Sequence, residues 1–280
     1  MYKLFTDFGD FEKEVEELGL KVDLKELTSF DYNFIQIYDK FTLINLRDYS
    51  KEQNKIILLS PKGAFIYGDI PITESQLKNF NSTLKKKQGE STVVTFLVLD
   101  FILLNYKAEF ENIRRRIIQL EQSLEINKIE EEGNILRKLI DRLEDFGDII
   151  IKIEERKIEE FNSNLIKYDY SILTTESKYW LDRCRSNMYR IASLRTKCDI
   201  KSNSELNSKI TKLTVIITFL TIVTIVISIP GTIGAIFGIP ALSNAYFEGH
   251  SNSLIFILIT SILISILLGY IYWKNLNLKT

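Results

Sequence analysis

Histidine, cysteine and proline are scarce in this chain of 280 residues, and each scarcity closes a possibility. The single histidine, His250, has no Cys, Asp or Glu partner at a metal-ligand spacing. The two cysteines, Cys184 and Cys198, match no zinc motif and are read as ordinary helix residues with reduced thiols. No nucleophile–base pair and no phosphate-cradling glycine loop is evident, so neither an enzyme nor an organic cofactor is expected. With 36 basic residues against 37 acidic ones the net charge is −1, which argues against a nucleic-acid partner. There is no proline between Pro71 and Pro230, so nothing in that interval breaks a long helix.

Charge is missing from two stretches, Leu213 to Ala245 and Leu254 to Trp273. An apolar helix of about 20 residues crosses a bilayer core, and both stretches are long enough. Lys209 and Lys212 precede the first, and Lys274 and Lys279 follow the second, whereas the loop between them carries Glu248 and no basic residue. Basic flanks stay cytoplasmic, so a multi-pass protein of the cell membrane with both termini inside is expected. Met1–Asp10 lacks the apolar run of a signal peptide, so insertion is expected to rely on the C-terminal helices.

The remainder divides in two. Residues 1–91 read as an α+β domain. Phe11–Leu20 has a helical pattern, and Asn33–Leu46 is rich in β-branched and aromatic residues. Lys55–Leu59 and Ala64–Tyr67 flank Ser60-Pro61-Lys62-Gly63, a hairpin signal. Thr73 and Gln76 are spaced as a capping box. Lys85–Lys87 is read as a solvated face. Residues 92–206 read as long antiparallel, coiled-coil stalk helices. Leu103, Tyr106, Phe110, Ile113, Ile117, Leu120 and Leu124 alternate in threes and fours. Leu136, Leu139, Leu143, Phe146, Ile150 and Ile153 repeat the seam after an expected break near Asn127–Gly133. A third segment, Thr175 to Ile200, carries Leu181, Cys184, Met188 and Ile191, with a turn expected at Ile166–Thr174. The charged run Glu154–Glu160 is read as a solvated face.

Residues 207–280 form the expected membrane region: a first span at about 213–237, an outer loop at about 238–253 and a second span at about 254–273. Asn207, Thr214, Thr221 and Ser228 are each seven apart, and Thr211, Thr218 and Thr232 share their face. Such a stripe suits several copies of one helix around a shared axis, where hydroxyls and carbonyls replace part of an ion's hydration shell. The alternative is that each hydroxyl bonds the carbonyl four residues back. Pro230 is expected to kink the span or open its last turns, with Gly231, Gly234 and Gly238 allowing close approach.

In this organisation the chain resembles the CorA-type divalent-cation transporter and channel superfamily. Asn207-Ser208-Lys209-Ile210-Thr211-Lys212-Leu213-Thr214 is similar to the family's Asn-x-x-Met-x-x-Leu-Thr entry to the pore helix, and Tyr179-Trp180-Leu181-Asp182 to its Tyr-x-x-Asp segment. Gly238-Ile239-Pro240 stands where the family has Gly-Met-Asn. The resemblance implies a funnel-shaped homopentamer in the bilayer whose first spans line a pore for divalent cations, Mg²⁺ above all. On that reading the pore is lined by Asn207, Thr211, Thr214, Thr218, Thr221, Ser228 and Thr232. Its mouth would hold Gly234, Gly238, Ile239, Pro240 and Glu248. Asp182, with Asp141, Glu144, Asp145 and Asp148, would supply regulatory metal sites between subunits. The rival expectation is a non-conducting, membrane-anchored scaffold or metal sensor of the same fold.

Overall fold

The computed structural model describes residues 1–30, 32–49, 54–155, 158–237 and 251–277. The chain divides into two compact units, Met1–Cys198 and Asp199–Thr280.

The first unit is built on a five-stranded sheet of order β1-β5-β4-β3-β2. Its strands are β1 (Tyr2–Phe5), β2 (Phe34–Tyr38), β3 (Phe41–Arg47), β4 (Asn54–Ser60) and β5 (Gly63–Tyr67). β1 joins β5 in parallel, and the other neighbours are antiparallel. The central strand β4 is buried throughout because both faces of the sheet are covered. Ile57 and Leu59 face one core together with Ile44 and Leu46. Ile56 and Leu58 face the other with Leu43, Phe65 and the helices α1 (Phe8–Glu17) and α2 (Leu24–Ser29). Alternate side chains of a strand point to opposite faces, so a strand buried on both reads as an unbroken apolar run. The β4–β5 hairpin pairs Ser60 with Gly63 around Pro61 and Lys62. Gly63 has φ +141°, and a Cβ there would lie 1.8 Å from the Met1 carbonyl oxygen, so β1 docks only against glycine.

Two short helices, α3 (Glu74–Lys78) and α4 (Asn81–Leu84), lead out of the sheet. The first opens on the expected capping box, Thr73 accepting from the Gln76 amide while Gln76 accepts from the Thr73 amide. The helices α5 (Gly89–Ser123) and α6 (Ile126–Glu155) follow, and their expected apolar seams are buried: Tyr106, Phe110, Ile113 and Ile117 on one, Leu136, Leu139, Leu143 and Phe146 on the other. The break between them is shorter than the sequence pattern suggests. Leu124 alone takes the left-handed conformation, φ 49°, and Asn127–Gly133 is already helical. The apolar pattern lapses there because the seam holds Glu132, bonded through Oε1 to Arg116 at 2.6 Å, and Gly133, packed against Ile191.

The second expected turn also moves. A 3₁₀ turn at Ser163–Ile166 precedes α7 (Lys167–Phe237), so the residues after Ile166 are helical rather than a turn. Tyr170 and Leu173 are buried, and the Tyr170 hydroxyl donates to the Ile150 carbonyl at 2.7 Å. Tyr, Ser and Thr dilute the helical signal here, but Thr174 and Thr175 bond the carbonyls four residues back. Glu154–Glu160 is not wholly a solvated face either. Ile158 and Glu160 are buried, and the Ser91 hydroxyl donates to the Glu160 carbonyl.

The second unit holds the C-terminal part of α7 and the helix α8 (Ser251–Asn277). Helix α7 passes through Pro230 and continues to Phe237, so its last turns do not open. It contains an 18-residue window of mean hydropathy 2.5 with none of it buried, and is long and apolar enough to cross a membrane. The apolar stretch of α8, Ile255–Ile271, is shorter.

Candidate functional site

Most of the site residues expected from the sequence lie on α7, and the expected acids Asp141, Glu144, Asp145 and Asp148 lie on α6. In the first unit α7 packs on α5 and α6 through Tyr170, Ser177, Cys184 and Ile191, all buried and seven residues apart. Gly133 meets Ile191, and Gly147 approaches Ser177, which lets the helix surfaces come close at two points 14 residues apart on each helix. Arginines on its flanks clamp it: Arg190 reaches Glu121 with two bonds of 2.6 and 2.7 Å, Arg185 reaches Glu144 at 2.6 Å, and Arg195 reaches Glu130 at 3.3 Å. Burial pushes the Cys184 thiol up to about 12, so it is an inert apolar filler rather than a nucleophile or ligand.

Opposite that buried seam the helix is exposed, and its composition there is unusual. The positions Tyr168, Ile172, Thr175, Tyr179, Asp182 and Ser186 recur in steps of four and three, and all are exposed. Tyr189, Ser193, Thr196 and Ile200 continue the register and are exposed as well. None of the lysines and arginines of α7 falls on this stripe, and Asp182 is its single charge. An ordinary solvated helix face is charged; this one is aromatic, aliphatic and hydroxylic.

In the second unit Asn207, Thr214, Thr221 and Ser228 continue the row of Ile172, Tyr179, Ser186, Ser193 and Ile200, whereas Thr211, Thr218 and Thr232 continue that of Arg183, Arg190 and Lys197. Asn207, Thr211, Thr214, Thr221, Ser228 and Thr232 are exposed, while Thr218 is half-covered. Helix α8 packs against α7 one turn further on. A Cβ on Gly269 would lie 3.0 Å from Ile222 Cγ2 and 3.3 Å from Val226 Cγ2, and Ser261 and Ser265 are buried on the same face of α8. Thr218 sits one helical turn from Ile222, at the edge of that contact. Thr211, Thr214, Thr221 and Thr232 each donate to the carbonyl four residues back, at 2.8–2.9 Å. The proton is thereby turned to the backbone, and the oxygen's two lone pairs stay available to a donor or cation. Gly231 and Gly234 face open space in the protomer. Gly238, Ile239, Pro240 and Glu248 lie outside the described residues, as does His250.

The expected regulatory acids do not make a metal centre within one chain. Asp141, Asp148, Glu144 and Asp182 are exposed and Asp145 is half-buried. Arg185 stands between Glu144 and Asp182, 2.6 Å from the first and 3.9 Å from the second. Among the described residues no group of three His, Cys, Asp or Glu side chains is placed to hold a metal ion. Burial, reinforced by Asp148 and Asp141, holds the Asp145 carboxyl above the usual carboxylate range against a bond from Asn33. Glu144, Asp148, Lys178 and Arg185 rim a cleft of about 310 Å³ between α6 and α7, floored by Leu143, Ile150 and Leu181. Sequence reasoning finds the hydroxyl stripe and misses its counterpart at Tyr168, Tyr179 and Tyr189. The sequence holds part of the signal: counting back in sevens from Asn207 meets no lysine or arginine as far as Ile172 but passes only Tyr179, with Tyr168 and Tyr189 on the neighbouring row.

No family model and no curated protein matches this sequence. Solved structures do. The complete CorA magnesium transporter from Methanocaldococcus jannaschii is similar at TM-score 0.58 and 14% identity, over 95% of this chain and 88% of that one. The ZntB cytoplasmic domain from Vibrio parahaemolyticus RIMD 2210633 is similar at TM-score 0.55 and 8% identity, over 72% of this chain and 88% of that one. The soluble domain of CorA from Methanocaldococcus jannaschii is similar at TM-score 0.50 and 10% identity, over 69% and 84%. At such identities the likeness is one of fold: an α+β N-terminal domain followed by long helices, in a CorA-like arrangement.

Proposed function

We propose that this chain is one subunit of a homopentameric membrane channel that passes divalent cations, Mg²⁺ among them. The observation that carries the reading is the exposed hydroxyl face of α7: Asn207, Thr211, Thr214, Thr221, Ser228 and Thr232, with Thr218 at its edge, on the apolar helix and beside the α8 contact. Four of these hydroxyls donate to their own backbone but keep their acceptor lone pairs, and a water-filled axis between copies of the same helix would use them. Mg²⁺ is a hard cation that sheds water reluctantly, so rings of neutral oxygens suit its hydrated passage better than a tight cage. The solved structures of similar fold include a magnesium transporter, which agrees with this cargo.

In this reading α8 is the second span. Its 27 residues make about 40 Å of helix, more than the hydrocarbon thickness of about 30 Å. Lys209, Lys212 and Lys274 flank the apolar stretches, which supports a cytoplasmic position for both termini by the positive-inside rule. Gly234, Gly238, Ile239 and Pro240 form the outer mouth, where Glu248 concentrates cations. Asp182, Asp141, Glu144, Asp145 and Asp148 act in regulation only if a neighbouring subunit completes a site, because among the described residues no three acids are placed to hold a metal and Arg185 pairs with Glu144 and Asp182.

A second reading, a non-conducting scaffold or metal sensor, is favoured by the threonine bonds to their own backbone and by Pro240, which offers no side-chain acceptor at the mouth. Flux into liposomes holding the purified oligomer separates the two. Divalent uptake that falls at least about tenfold in Thr214→Leu or Thr221→Leu, with assembly intact, supports the pore. Uptake unchanged in both variants refutes the lining, and no uptake from a verified oligomer leaves the scaffold or sensor.

A further inference from the structure

Helix α5 leaves large apolar side chains in solvent at Leu104, 49% exposed, and Ile118, 42% exposed, 14 residues apart on one face. Two heptads of helix are about 21 Å. Hollows recur at the same spacing in the groove between α6 and α7. One cavity of about 310 Å³ opens at Gly147 and another of about 440 Å³ at Gly133, again 14 residues apart. Leu143, Ile150 and Leu181 line the first, and Ile129, Met188 and Ile191 the second. A Cβ at Gly147 would stand 3.7 Å from Ser177 Oγ and one at Gly133 3.4 Å from Ile191 Cγ2, ordinary contacts that admit alanine. Glycine inside a helix is destabilising relative to alanine, so the extra room answers to something beyond the packing of one chain.

Side chains and hollows also share their levels along the bundle. Tyr106 meets Phe146 at 5.7 Å and Arg116 bonds Glu132 at 2.6 Å, which sets α5 and α6 side by side and antiparallel. One step forward on α5 is one step back on α6, so Leu104 lies level with Gly147 and Ile118 with Gly133, to within about one turn. Copies related by rotation about an axis along these helices keep every residue at its own level. Leu104 and Ile118 of one copy then come opposite Gly147 and Gly133 of the next. A cavity of roughly 150 Å³ already accommodates a benzene ring, so each hollow takes a branched aliphatic side chain. The charges agree. Lys107, one turn beyond Leu104, lies over the Trp180 ring at 5.2 Å and has no carboxylate partner among the described residues. Glu144 and Asp148, on the rim of the Gly147 cavity, stand at its level in the next copy. Glu111, midway between Leu104 and Ile118, likewise comes level with Arg185, which lies between Ser177 and Ile191.

We infer that Leu104 and Ile118 of one copy of this chain dock into the α6–α7 cavities at Gly147 and Gly133 of the next. Each copy carries both the inserting side chains and the hollows, on different faces, so the contact is head to tail and builds a ring where the rotation closes. The inference rests on the self-assembly part of the proposed function and names a contact that holds it; it does not require that the assembly conduct.

The test uses the full chain in detergent with Cys198→Ser, which leaves only the inert, buried Cys184, and adds cysteines in pairs. Leu104→Cys with Gly147→Cys, and Ile118→Cys with Gly133→Cys, are expected to give a ladder of covalent multimers under copper phenanthroline; a bond inside one chain gives no ladder. The swapped pairs, Leu104→Cys with Gly133→Cys and Ile118→Cys with Gly147→Cys, are offset by about 21 Å and are expected to link at least about tenfold more slowly. Light scattering sizes the unoxidised protein alongside. Matched pairs that fail to link in a verified oligomer, or swapped pairs that link equally fast, overturn the docking while self-assembly stands; a monomer overturns both. A second measurement fills one hollow and reads the other. Gly147→Leu is expected to slow linking of the Ile118→Cys, Gly133→Cys pair at least about fivefold, and Leu104→Ala in the same chain to restore it. No slowing, or no recovery, overturns the docking.

Discussion

Tyr106 offers a sharp test of how the sheet is tied to the long helices. Its ring is fully buried and meets Phe146 edge-on at 5.7 Å, while its hydroxyl donates to the Arg47 carbonyl at 2.6 Å. Asn33 completes the link: its side-chain oxygen accepts from the Arg47 amide at 2.6 Å and its Nδ2 donates to the Arg142 carbonyl at 3.2 Å. One strand end, α5 and α6 are therefore joined by three polar contacts. Tyr106→Phe keeps the ring and its packing and deletes the donor to Arg47 together with the acceptor of a 3.5 Å bond from Asn33 Nδ2. A buried acceptor left without its donor costs about 1–3 kcal/mol. In a unit of this size about 2 kcal/mol lowers Tm by roughly 4–8 °C. Tyr106→Ala adds a cavity and should cost about 3–5 kcal/mol. Burial pushes the hydroxyl well above the ordinary 10, so it remains a donor across the working range and the loss should not vary between about pH 6 and pH 9. Thermal denaturation of the full chain in detergent measures it, with Asn33→Ala and the double variant closing a cycle. A Tm unchanged in Tyr106→Phe, or strict additivity with Asn33→Ala, would refute the proposed tie.

The remaining predictions concern packing in the second unit and pH. Gly269→Ile adds atoms where a Cβ already lies 3.0 Å from Ile222, so it should destabilise the α7–α8 contact by about 1–3 kcal/mol, read as a lower Tm in detergent; no change refutes the contact. Asp100 is held above its ordinary 3.8, first by burial and then by Glu176. A carboxyl whose folded value is raised binds its proton more tightly in the folded state, so stability falls as pH rises above about 3.8 through the folded value and the loss is complete at neutral pH. Asp100→Asn should therefore raise Tm at pH 7 and have no effect below about pH 3.8; an equal gain at both refutes the assignment.

What the sequence discloses and what it hides follow one rule. A residue type is legible where a single physical demand selects it, and opaque where two demands compete. Leu136, Leu139, Leu143 and Phe146 answer only to burial and read cleanly as a seam. The Ser60–Gly63 turn is equally legible, because the approach of β1 permits no Cβ there. Glu132 and Gly133 occupy the same seam for other reasons, an arginine to neutralise and a neighbouring Ile191 to admit, and they masquerade as a loop. Around Tyr170, weak helix formers hide a helix that tertiary contacts hold.

The stripe on α7 obeys the same rule in reverse. Its hydroxyl part stands out by contrast, since Thr and Ser are conspicuous among Ile, Leu and Val. Thr218 cannot be sorted from its fellows without knowing that α8 lies against Ile222 and Val226. In the first unit the stripe has no apolar background, and tyrosine, serine and threonine pass for an ordinary solvated face. What distinguishes them is an exclusion, and an exclusion becomes visible only when the helix is known to run from Lys167 without a turn at Thr174. Fixing the start of α7 therefore makes the seven-residue register countable, and the register shows that lysine and arginine keep to its flanks. The face opposite the buried seam, emptied of lysine and arginine, therefore reads as a distinct surface only after the start of the helix is fixed.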